Sequence, residues 1–130
     1  MPRNSAATIR WPWCGVPRRR FVRGNALERT AYPACGFHAV VSTGLGEFLE
    51  TFELEQFYRN VHAVLRPGGT FYTSATALDR RSEAFLRAFE LLTHYRTSGE
   101  IRHILEQLPW RKLTITRDAF GLQTFVTAVK

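Results

Sequence analysis

Only a few residues in this 130-residue chain have the type and setting for chemistry. Glu47 follows the turn Gly44-Leu45-Gly46, where a carboxylate can act as a general base or hold a cation. The same residue, with Glu50, can equally well do no more than solvate the approach to a helix, whose amino end favours acids. His38 interrupts the apolar run Phe37–Val41; a proton-shuttling histidine needs a partner that the neighbouring residues do not supply, so it reads as structural. His94 and His103 stand nine apart across a break, which is not metal-ligand spacing, and no metal site is expected. Tyr95 and Trp110 can stack on an aromatic ring or a base, or pack into a core or lid. Cys14 and Cys35 match no ligand pattern and are too few for a disulfide framework, so they read as inert thiols in a reducing cytoplasm.

The net charge of +7 is unevenly distributed. Residues 1–30 carry seven arginines and the single acid Glu28, a balance of +6; the other hundred residues are nearly neutral. An arginine-rich arm with the cluster Arg18-Arg19-Arg20 can bind nucleic acid by releasing phosphate counterions. The alternatives are a poorly ordered leader over residues 1–19, since no helical or strand period is visible there, and a targeting segment. No apolar run is long enough for a membrane span, so no membrane association is expected.

These residues are held by a recognisable order of elements. Phe37 to Val41 is apolar apart from His38 and reads as a strand buried on both faces. Leu54, Phe57, Tyr58, Val61, Val64 and Leu65 then recur on one helical face, with Thr51 as the expected N-cap and Pro67-Gly68-Gly69 as the stop. A second apolar strand follows over 70–76, which completes a βαβ crossover and so a parallel pair. Ser82 to Tyr95 carries Phe85, Leu86, Phe89 and Leu92 on one helical face. Thr97-Ser-Gly-Glu100 has capping-box spacing and starts a short helix that ends before Pro109. Leu113 and Ile115 alternate with Thr114 and Thr116, and Gln123–Val129 is β-rich, so the chain closes on an antiparallel hairpin around Phe120-Gly121.

Strand, helix, Leu65-Arg-Pro-Gly-Gly69, strand, helix and terminal hairpin together resemble the C-terminal half of class I S-adenosylmethionine (SAM)-dependent methyltransferases. The resemblance covers residues 20–130 and implies an α/β domain: a partial Rossmann-like sheet holding the family's third to seventh strands, the last two an antiparallel hairpin. Residues 20–24 would be the third strand, 37–43 the fourth, 70–76 the fifth, and 112–118 with 123–129 the sixth and seventh. SAM is the implied cofactor and methyl transfer to an unknown acceptor the implied reaction. By position, Asn25 and Ala26 match the turn that contacts adenine. Ser42, Thr43 and Gly44 match the strand end lining the methionine side.

One departure shapes the functional reading. The family's glycine-rich loop after its first strand, and the acid that ends its second, have no counterpart in residues 1–19. The expectation is therefore an N-terminally truncated methyltransferase-like domain whose binding of SAM, and activity as an enzyme, are open. The Phe37–Val41 strand would lose a neighbour and present an unpaired edge. That predicts a homo-oligomer or a partner chain on this edge, and makes a non-catalytic interaction protein the alternative function, beside an arginine-rich nucleic-acid binder.

Overall fold

The computed structural model describes residues 22–34, 36–77, 83–84, 87–88 and 93–130. Cys14, Cys35, the Arg18–Arg20 cluster and the leader lie outside the described residues. Strand β1 is Phe37–Ser42, helix α1 Thr51–Val64, β2 Leu65–Thr76, helix α2 Ser98–Leu105, β3 Lys112–Arg117 and β4 Gln123–Val129. Single 3-10 turns occupy Arg29–Ala31 and Gly46–Phe48. The sheet runs β1-β2-β4-β3, with β1 parallel to β2 and both other pairs antiparallel.

Helix α1 forms where the apolar stripe requires it. Leu54, Phe57, Tyr58, Val61 and Val64 are all buried, and Phe57 and Tyr58 meet Phe71 of β2 edge-on at 6.2 and 5.5 Å between ring centres. Ile101, Ile104 and Leu105 of α2 join the same core, as do Val126 and Ala128 of β4. Both helices thus cover one face of the sheet. Thr51 is not the N-cap: the helix starts one residue earlier, and the amide of capping Glu50 donates to Glu53 Oε2 at 2.9 Å. At α2 the expected box is present, with Glu100 N donating to Thr97 Oγ1 at 3.1 Å and Thr97 N to Glu100 Oε2 at 2.7 Å.

The Pro-Gly-Gly stop is built into a strand. α1 passes directly into β2, and the pairing with β1 jumps from Phe37↔Leu65 to Ala39↔Thr70, so β2 loops out three more residues than its partner. Gly68 makes that bend at φ 78°, where a side chain is strained. A Cβ on Gly69 would stand 2.8 Å from Phe37 O and 2.9 Å from Arg66 O, so the two strands close here only around glycine. The last residue braces the same junction. Gly68 N donates to Lys130 O, Lys130 N donates to Gly69 O, and Lys130 Nζ reaches the carbonyls of His62 and Leu65 at 2.7 and 2.8 Å. A cation thereby caps the carbonyl end of α1.

Three expectations are corrected. Residues 22–24 belong to no strand, while residues 20 and 21 lie outside the described residues; a third strand would need a second beside it to receive its backbone bonds. β1 is not buried on both faces. Among the described residues it is the sheet's edge: Phe37 and Val40 pack against the core, whereas His38, Ala39 and Val41 are exposed, Val41 at 67%. The helix anticipated over Ser82–Tyr95 is seen at residues 83, 84, 87 and 88, where Arg87 pairs with Glu83 at 2.7 Å, but residues 93–95 have left it. Its proposed inner face of Phe85, Leu86, Phe89 and Leu92 lies outside the described residues.

Candidate functional site

Asn25 and Ala26 form a turn that is fastened to α1. Leu27 N donates to Asn25 Oδ1 at 3.0 Å, an Asx turn, and Glu28 N to Asn25 O. Asn60, a buried polar residue inside the apolar stripe of α1, donates from Nδ2 to the carbonyls of Ala26 and Leu27 at 3.1 and 3.0 Å. Its amide is oriented in turn by Gln56, whose Nε2 donates to Asn60 Oδ1 at 3.0 Å. Tyr32 adds its hydroxyl to Ala26 O at 2.7 Å. Beside this turn lies a shallow hollow of about 150 Å³ lined by Val22, Gly24, Asn25, Ala26, Ala31 and Tyr32.

Ser42, Thr43 and Gly44 sit at the C-terminal end of β1, where open α/β sheets receive ligands. Gly44 has φ 81° and nothing stands within 4 Å of where a Cβ would be, so the backbone here is open to close approach. Glu47 follows in the Gly46–Phe48 turn and is half-buried. Neither Ser42, Thr43 nor Gly44 lines the hollow at Asn25. The two candidate turns are tied to different levels of α1, one at its amino end and one at Asn60, ten residues on, a rise of about 15 Å along the axis.

A larger cleft of about 540 Å³ opens beside the amino ends of α1 and α2, lined by Thr51, His94, Arg96, Glu100, His103 and their neighbours. The fold thus brings the two distant histidines to one cleft, yet no group of three metal-ligating side chains occurs among the described residues. His94 Nε2 lies 3.3 Å from Glu50 Oε1, and Tyr95 lines the cleft wall. Trp110 is partly buried and packs against the core, stacked on Phe71 at 6.2 Å and meeting His62 edge-on at 4.7 Å.

Asn60, Arg96 and Lys130 escaped the sequence reading. Asn60 carried a signal, since a polar residue amid apolar helical positions marks a neighbour whose carbonyls need donors. Arg96 and Lys130 act across 47 or more residues of sequence, and no local pattern indicates that.

A parallel pair followed by an antiparallel hairpin inserted as β1-β2-β4-β3 is the 4-5-7-6 order of the class I SAM-dependent methyltransferase sheet. The chain has that methyltransferase-like fold. It superposes on a "possible exported protein" of Bordetella parapertussis with a TM-score of 0.69 at 22% identity, covering 83% of this chain and 43% of that one. An O-methyltransferase family protein from Burkholderia thailandensis gives 0.66 at 12% identity over 85% of this chain and 35% of its own. Human N-acetylserotonin methyltransferase in complex with SAM gives 0.64 at 14% over 82% and 32%. The chain therefore spans between about a third and two-fifths of the length of these structures. No family model matches the sequence, and no curated protein matches it.

Proposed function

We propose that the chain is the C-terminal portion of a SAM-dependent methyltransferase-like domain, acting in the cytoplasm on an acceptor of unknown identity. The observation that carries the reading is the strand order, which SAM methyltransferases share. The residues present fit one side of the cofactor: the open backbone at Gly44 and the strand end Ser42-Thr43 admit a ligand's methionine portion. The exposed Asn25 amide and Ala26 provide a polar turn for an adenine. SAM, when bound, would supply a sulfonium-activated methyl group for transfer to a nucleophilic acceptor. In this reading Glu47 is the candidate to take the acceptor's proton, and the turns serve to orient the reactants. Titration calorimetry with S-adenosylhomocysteine tests the reading. Binding that weakens on Gly44→Val and Asn25→Ala supports it, and heat no greater than dilution at millimolar ligand removes it.

A second reading has its own observation. Val41, Phe48 and Phe52 are 67, 66 and 70% exposed along the unpaired edge of β1 and the start of α1. Such an edge is suited to pairing with another strand, so this portion can serve as an interaction module without catalysis. A concentration-independent monomer in sedimentation equilibrium excludes self-pairing through it. No helix among the described residues is long and apolar enough to cross a bilayer. The nucleic-acid reading rests on Arg18–Arg20, outside the described residues.

A further inference from the structure

The segment that returns to the sheet ahead of α2 grips the turn that follows β1 at several points. His94 N–H donates to Glu47 O at 2.7 Å, and His94 Nε2 faces Glu50. Arg96 spans the same turn, donating from one terminal nitrogen to Gly46 O at 3.0 Å and from the other to Leu49 O at 2.5 Å. Arg96 is itself fixed from behind. Its backbone bridges Ala77 just past β2, and the next residue caps α2. The side chain is only 6% exposed, and no carboxylate among the described residues pairs with it.

Burying a cation against neutral carbonyls is costly, and a neutral donor could satisfy the same oxygens. What a guanidinium adds is geometry: two divergent donors on one rigid plane, which fix the spacing of the oxygens they hold. Those oxygens belong to Gly46 and Leu49, the two sides of Glu47. We propose that Arg96 is a positioning residue, which acts through the 42–50 segment by setting its conformation and thereby the placement of Glu47 and the Ser42–Gly44 strand end. The inference rests on the reading of that end as the cofactor side, and it is testable apart from it.

The test uses Arg96→Met and Arg96→Lys in the full chain, with hydrogen exchange followed by mass spectrometry. In the methionine variant, peptides covering residues 42–50 are expected to exchange at least about tenfold faster, equivalent to about 1.4 kcal/mol, while those from β3 and β4 keep their wild-type rates. Lysine, with donors but no fork, restores part of the protection. Where the wild-type protein binds S-adenosylhomocysteine, the methionine variant binds about tenfold more weakly. Unchanged exchange over 42–50 overturns the proposal, as does equal acceleration across the hairpin, since Arg96 would then be general packing. Should the methionine variant not fold, the wild-type protein decides: slowly rotating, separately resolved Arg96 Nη protons support the clamp, and averaged ones overturn it. A wild-type protein without affinity for S-adenosylhomocysteine removes the methyltransferase reading, and the exchange rates still judge Arg96.

Discussion

Two buried nitrogens, His62 Nε2 and Trp110 Nε1, have no hydrogen-bond partner among the described residues, and their rings meet edge to face at 4.7 Å. Burial pushes the His62 imidazole below its ordinary range, and the Lys130 ammonium beside it acts in the same direction. The sign follows from linkage: the unfolded chain takes up a proton near pH 6.5 that the fold resists. Stability is therefore unaffected above that value and falls as the pH drops through 6.5 toward the folded-state value. Urea midpoints measured from pH 7.5 to 5 are expected to decline less steeply in His62→Phe than in wild type, and parallel slopes would refute this. Tyr58 shows the opposite case, a phenol pushed up to about 12 by burial, so it remains neutral and a core residue at any physiological pH.

At the level of elements, the sequence was most legible where periodicity met a hard stop. The stripe of α1, the Thr97–Glu100 box and the alternation of β3 predicted their elements to within a residue or two because the signal in each lies within a turn or two of the chain. The β1 environment was misread for the converse reason. Its apolar residues describe the packing of a complete sheet, whereas its exposure depends on which strands stand beside it. The Pro-Gly-Gly junction tests the local logic. Gly69→Ala places a methyl group against Phe37 O and Arg66 O, and a cost of about 1–3 kcal/mol is expected from the forced backbone shift. Thr97→Ala loses one cap at about 1 kcal/mol. Denaturant midpoints check both, and a Gly69→Ala variant as stable as wild type would show that the junction relaxes freely.

For the whole molecule, the described residues form a sheet with α1 and α2 on one side and an apolar edge strand. Of the candidate site, the strand end and the Asn25 turn were expected through resemblance alone. Asn60 fastens the Asn25 turn to α1 and Arg96 fastens the 42–50 segment to the residues ahead of α2; these partners stand 33 to 50 positions apart, so no local pattern names them. Pairing through this edge is tested by sedimentation: coefficients are expected to rise with concentration, and Val41→Lys to suppress the rise by placing a solvated charge on the strand. Identical behaviour of the two proteins would locate any association elsewhere.

Lys130 joins regions that are remote along the chain, because its ammonium and both its backbone groups are spent on the junction between α1 and β2. Replacing Lys130 by methionine would deprive the helix of its counter-ion while the backbone bonds to the glycine pair remain. A disturbance at Lys130 would thus be passed through the glycine pair to Phe37, on the strand at the sheet's margin.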